Sequence, residues 1–483
     1  MRVEEYVACD ATALAKLVRD GEVSAAEVHA TAQEAIRAVD RRLNAVADGP
    51  WEQPLDFAAD GPFGGVPFAI KDLGAHPAGV PVKSGTRLSG DGIVFDVESH
   101  LIGRFRKAGL ATAAMTTAPE FGFNPNTEAL AYGGSTRNPW DLERSSGGSS
   151  GGSAALVAAG GVPVAHAGDG GGSIRIPAAF TGLVGLKPSR GRTTDGPEAQ
   201  DRLLGLGVEF AVTQTMRDCA GLLDAVAGPM PGDPFILRDP ERPYAQELGA
   251  DPGRLRIALT TDSWSPGPVD REVAAAVETV GRELERLGHH VERATPRLDW
   301  DEFAVGMTTL VCGFLTESID AIAAQSGLRP GPDTLERTTI ALYEHGLTLS
   351  AADLTKAMQS LNTVARTVGG FFTEWDLLLT PTTNVPAPPL GLLDSNDPSF
   401  DAEGWVRNIF GVCSFTAHFN WSGTPAISLP LGMTAGGLPI GVQLAAPMCG
   451  EATLIRVGSQ LEQALPWAGR RPPFHVGASL PAA

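Results

Sequence analysis

Residues 145–175 hold ten glycines in 31 positions, where an average frequency of about 7 % predicts roughly two. Seven of them fall in two clusters, SSGGSSGGS at 145–153 and DGGGSIR at 169–175. A Gly/Ser run is ordinarily a flexible linker between two compositions. Here, however, the first run opens onto AALVAA at 154–159, a good helix start. The second follows the apolar stretch 162–167 and precedes Ile176, Pro177, Ala178, Ala179 and Phe180. Glycines between a strand and a helix leave successive amides exposed, which suits a bound anion or a developing oxyanion. The alternative for 170–172 is a tight turn that binds nothing.

The rest of the chain reads as alternating strands and helices. Asp10 or Thr12 can cap a first helix ending at Gly21. Ser24 and Glu27 form a capping box ahead of Val28, Ala32, Ile36, Val39 and Leu43, spaced three and four apart. Residues 66–70, 110–115, 162–167, 255–259, 290–293, 377–381, 426–430 and 440–444 read as short strands, and 99–108 and 269–287 as helices. This alternation predicts an α/β fold on a mixed or largely parallel sheet. No internal repeat or separating linker interrupts the 483 residues. One domain over 1–483 is the expectation: N-terminal helices at about 10–46, a core at about 60–230, a more variable helical part at about 250–400, and a C-terminal return to the core.

Charge and cysteines exclude several classes. The formal net charge of −19 disfavours a phosphate backbone as partner. Five scattered cysteines contain no CxxC pair, so neither a disulfide framework nor a zinc knuckle is suggested. The opening MRVEEYVACD has no basic or apolar leader character, and no long uninterrupted apolar run follows. A cytoplasmic protein with no membrane segment is expected.

The chemistry narrows by elimination. There is no G-x-x-x-x-G-K for nucleotides and no H-E-x-x-H for zinc, and the nine histidines are dispersed, so no metal and no cofactor are expected. Residues 148–152, GSSGG, match G-x-S-x-G formally, but RNPWDLER at 137–144 is not the apolar strand a nucleophile elbow needs. None of the six lysines has a serine three residues upstream. A serine nucleophile with a lysine base remains. Such a base works only when neutral, so burial must lower its pKa from about 10.4. Lys71, at the end of the apolar run 66–70, is the best placed; snorkelling to solvent or pairing with Asp72 is its structural alternative.

Lys71, GGSSGGS at 147–153 and DGGGSIR at 169–175 resemble the amidase signature family of serine hydrolases. So do GLVGLKP at 182–188, SGTPAISLP at 422–430 and GLPIGVQL at 437–444. The resemblance implies a central twisted mixed β-sheet covered by helices on both sides. It also implies Ser173 as nucleophile, Ser149 (after a cis Gly148–Ser149 bond) as bridging serine, and Lys71 as base. The amides of Gly170, Gly171, Gly172 and Ser173 would form the oxyanion hole, with Ser150, Asp169 and Arg175 as supports. Three positions depart from the family pattern. Gly168 stands where Thr is frequent, Gly170 where a larger residue is usual, and TTAPE at 116–120 replaces a Lys-Thr-Asn-Thr-Pro-Glu stretch. Gly170 either widens the site or weakens its preorganisation.

The expected activity is hydrolysis of linear amides through a Ser-Ser-Lys triad and an acyl-enzyme, with a pattern similar to bacterial nylon-oligomer amidases. A urethane (carbamate), anilide or ester hydrolase with the same triad is the alternative, and the amidase subunit of a tRNA-dependent amidotransferase a more distant one. The partner is then a small-molecule amide, carbamate or ester, not a nucleic acid or membrane; a homodimer is entertained. Gly122 and Cys312 are the expected pocket residues, although a small buried core cysteine is the commoner role for a residue such as Cys312.

Overall fold

The computed structural model describes residues 1–478. Eleven strands form one sheet: β1 (Val46–Asp48), β2 (Val66–Lys71), β3 (Leu110–Thr116), β4 (Val164–Asp169), β5 (Val184–Lys187), β6 (Val208–Thr213), β7 (Arg256–Leu259), β8 (His290–Arg293), β9 (Leu377–Pro381), β10 (Ala426–Met433) and β11 (Pro439–Ala445). Their order is β1-β3-β2-β4-β6-β5-β10-β11-β9-β7-β8. The sheet is mixed. β3, β2 and β4 run parallel, as do β9, β7 and β8, while the centre from β4 to β9 is antiparallel. All eight expected strands form, most shifted by one or two residues at an end.

Helices cover both sides, and two cores result. The first lies between the sheet and α1 (Ala11–Arg19), α2 (Ala25–Leu43), α3 (Gly151–Ala158), α5 (Arg271–Arg286) and α11 (Glu451–Ala464); α4 (Arg175–Thr181) packs on β5, β10 and β11. The caps are those the sequence suggests. Asp10 accepts from the Ala13 amide, and Ser24 and Glu27 form the reciprocal box. The second core is built from α6 (Trp300–Ser326), α7 (Arg337–Gly346), α8 (Ala351–Phe371), α9 (Ala402–Gly411) and α10 (Ala417–Ser422). Helix α6 is long and apolar enough to cross a membrane by length and composition; half of its most apolar window is buried inside the protein.

The structure decides two local points. Residues 145–153 are not a linker, since every one is buried and the run flows into α3. Asp141–Ser145 does form a strand, in a small hairpin with Arg137–Asn138, although it lacks an apolar pattern. One side of that hairpin faces outward, and the exposed Asp141 and Glu143 account for its polar sequence.

Candidate active site

Parallel pairing of β3, β2 and β4 brings three carboxyl-terminal strand ends to one place, the usual position of a ligand site in such sheets. Lys71 closes β2 opposite Thr116 of β3, and Asp169 closes β4. These ends open into a cavity of about 520 Å³ lined by Lys71, Ser149, Ser173, Gly170 and Gly171, among others.

Lys71 is 3 % exposed, and its Nζ donates to Ser149 Oγ at 2.7 Å. Burial lowers its pKa to about 8, against the raising effect of the Glu209 and Asp169 carboxylates. Neither snorkelling nor pairing with Asp72 occurs, because Asp72 is taken by Tyr132 Oη at 2.6 Å and the Lys83 amide at 2.8 Å. The Gly148–Ser149 peptide bond is cis. Ser150 Oγ donates to the Gly168 carbonyl at 3.2 Å and accepts from the Gly168 amide at 3.3 Å, tying the first glycine loop to β4.

The second loop is held by a buried ion pair. Arg175 donates from Nε and Nη2 to the two Asp169 carboxylate oxygens, both at 2.9 Å, with both side chains fully buried. Burial alone would push the Asp169 carboxyl up; the charge and hydrogen bonds of Arg175 outweigh it and hold it at about 2. Asp169 Oδ1 also accepts from the Gly172 amide at 2.7 Å. This narrows the expected donor set, because an amide already given to a carboxylate is not available to substrate. Gly172 accordingly does not line the cavity. The amides of Gly170, Gly171 and Ser173 donate to no protein acceptor among the described residues. Ser173 lines the cavity and forms no hydrogen bond with Ser149.

Of the two expected pocket residues, one is placed in the cavity and one is not. Gly122 lines it, at φ +77°, and a Cβ there would stand 3.1 Å from Ser149 Oγ. Cys312 is fully buried in the second core. One residue along a helix turns about 100°, so Met307, Leu310, Val311 and Phe314 of α6 face the cavity while Cys312 faces away. Cys413, after α9, lines the cavity instead.

Several polar groups escaped sequence reasoning. Asn420 Nδ2 bonds the Asp169 carbonyl at 2.8 Å and its carboxylate at 2.9 Å, and its Oδ1 accepts from Arg175 at 2.7 Å. Gln443 Oε1 and the Thr416 carbonyl accept from Arg175 Nη1 at 2.9 Å, and Thr416 Oγ1 donates to the Gly171 carbonyl at 2.6 Å. Behind Lys71, His166 Nδ1 receives the Lys71 amide at 3.3 Å and Nε2 pairs with Glu209 at 2.9 Å. The available signal was a lone Asn between Phe419 and Trp421, and lone polar residues inside the apolar strands β4 and β6.

The fold and the site define an amide-bond hydrolase of the amidase signature class: the Amidase family model matches residues 27–455, and the chain belongs to that family. It is 37 % identical over 486 residues to the 6-aminohexanoate-cyclic-dimer hydrolase of Paenarthrobacter ureafaciens, with 98 % of each chain covered. The solved structure of a 6-aminohexanoate cyclic dimer hydrolase matches with a TM-score of 0.90 at 36 % identity, over 97 % of this chain and 99 % of that one. A bacterial aryl acylamidase of the same family matches with a TM-score of 0.86 at 25 % identity, over 98 % and 99 %.

Proposed function

We propose that this protein is a serine hydrolase of linear amides in which Lys71 is the base, Ser149 the proton relay and Ser173 the nucleophile. One observation carries the reading: a buried lysine, its pKa lowered to about 8, donates to Ser149 at 2.7 Å in a cavity that Ser173 also lines. Neutral Lys71 takes the Ser149 proton, Ser149 takes that of Ser173, and Ser173 Oγ attacks the carbonyl carbon. Catalytic hydrogen bonds commonly tighten only in the substrate complex, which accounts for the open Ser149–Ser173 link. The oxyanion is received by the amides of Gly170, Gly171 and Ser173; one such donor is worth about 2.7–4 kcal/mol in comparable sites. The tetrahedral intermediate expels the amine, protonated back through Ser149, and water releases the acyl group by the same relay.

The cavity wall of Phe314, Leu310, Met307 and Phe410 suits an aliphatic or aryl chain. With a 37 % identical cyclic-dimer hydrolase as relative, the 6-aminohexanoate cyclic dimer is the first amide to test. The likeness to an aryl acylamidase favours anilides as a second reading. Carbamates and esters need no further group, because acyl-enzyme chemistry is indifferent to the leaving group. The net charge of −19 counts against a role beside tRNA. The continuous eleven-stranded sheet supports one domain. The purified chain is expected to be labelled by a fluorophosphonate probe and to hydrolyse at least one amide of a panel spanning aliphatic amides, anilides, carbamates and p-nitrophenyl esters. Ser173→Ala is expected to abolish both, and labelling that persists in that variant would sink the assignment.

A further inference from the structure

The segment 195–207, between β5 and β6, crosses the cavity as a strap. At its turn Leu203 and Leu204 adopt φ +53° and +55°, followed by Gly205 at +91°. Both leucines line the cavity; Leu203 reaches toward Gly170, while Leu204 is 41 % exposed. The strap is fastened beside the site. Arg202 Nε lies 3.7 Å from Asp195 and 3.8 Å from Glu209. Asn420 Nδ2, which holds Asp169, also donates to the Leu206 carbonyl at 2.9 Å.

Leu203 reaches the position that a side chain on Gly170 would occupy. A Cβ built on Gly170 collides with Leu203 Cδ1 and approaches Leu203 Cγ at 3.9 Å, and meets no other atom within 4 Å. Gly170 has no left-handed φ, so its backbone accepts any residue. Leu203 is therefore the residue that a Cβ at 170 meets. The space freed at the oxyanion loop is filled from a different segment.

Resting on the hydrolase reading, we infer that Leu203 is a specificity-determining residue: it supplies the cavity wall beside Gly170 and Ser173 and sets how bulky a substrate group fits there. The wall is then exchangeable between positions 203 and 170.

The test compares kcat/KM for p-nitrophenyl acetate, isobutyrate and pivalate, and for acetanilide against its N-methyl form, in four proteins. Leu203→Ala is expected to raise the bulky-to-small ratio at least tenfold in one of the two series. Adding Gly170→Val to Leu203→Ala refills the space from the other side and is expected to return that ratio to within threefold of the parent. Gly170→Val alone, with two side chains contesting one space, is expected to lose at least tenfold on the smallest substrate. Ratios that stay within twofold in both series for Leu203→Ala, or a double variant that keeps the raised ratio, overturn the proposal. Should Leu203→Ala fail to fold by thermal unfolding, Leu203→Val is expected to move the ratio the same way by about threefold, and an unchanged ratio there also overturns it. Fluorophosphonate labelling of the parent separates the two failures. Labelled parent with unchanged ratios sinks the Leu203 proposal alone, and an unlabelled parent sinks the hydrolase reading and this proposal with it.

Discussion

The two glycine loops sit side by side yet use glycine for opposite ends. In 145–153 every residue is buried and each of the five serines has a hydrogen-bond partner. Glycine there admits neighbouring backbone: a Cβ on Gly152 would lie 2.6 Å from the Thr117 amide nitrogen, and one on Gly148 2.7 Å from the Asn126 carbonyl oxygen. In 168–173 Gly170, Gly171 and Ser173 stay partly open, and their three amides donate to no protein acceptor among the described residues. The first loop is a closed lattice that fixes hydroxyls, while the second is a frame that presents backbone donors. Similar composition therefore serves side-chain wiring in one place and main-chain display in the other.

The contrast breaks first at Lys71, the charge wired into the closed loop. Lys71→Met is expected to lower kcat by about 10³-fold, within the span of general-base contributions, while raising the melting temperature at pH 7. The sign follows from the lowered pKa. Between about 8 and the ordinary lysine value the unfolded chain holds a proton that the folded one lacks, so this lysine favours folding increasingly as pH rises through that window and least below it. Activity of the parent is expected to climb tenfold per pH unit up to about pH 8 and then level. A flat profile from pH 5 to 9 on a chemistry-limited substrate contradicts the base assignment.

In the open loop the frame matters most. Arg175→Ala leaves the Asp169 charge buried and unpaired, and denaturant unfolding is expected to show a loss of about 3–5 kcal/mol. Arg175→Lys is not expected to restore it, since an ammonium cannot reproduce the fork to Asp169 together with the bonds to Asn420 and Gln443. Gly152→Ala is expected to cost about 1–3 kcal/mol by overpacking against Thr117. Smallest is Ser150→Ala, which removes both bonds to Gly168 for about 1 kcal/mol and less than a tenfold change in rate. If Ser150→Ala exceeds Arg175→Ala in stability loss, the division of labour between the loops is wrong.

What was legible in the sequence was local. The strand before Lys71, the caps of α1 and α2, and the strand-glycine-helix order at Asp169 all rest on neighbours within a few residues. Gly172 was misplaced because its amide partner, Asp169, is itself part of the motif, and sequence does not say which amide turns inward. Cys312 was misplaced by helical phase. Asn420, Gln443 and Leu203 were illegible for a different reason: each meets the 169–175 loop through tertiary packing that no local periodicity encodes.

The clamp on Asp169 and Arg175 also dictates when the site comes into being. Its partners Thr416, Asn420 and Gln443 lie 241 to 268 residues downstream of the groups they hold. Contacts of such sequence separation form late, because a long loop must close before they reward it. A ribosome-bound chain that already carries Lys71, Ser149 and Ser173 lacks the residues that hold its 169–175 loop until nearly all of it has been made. The buried clamp on this loop is thereby completed only when the C-terminal residues, through Gln443, are in place.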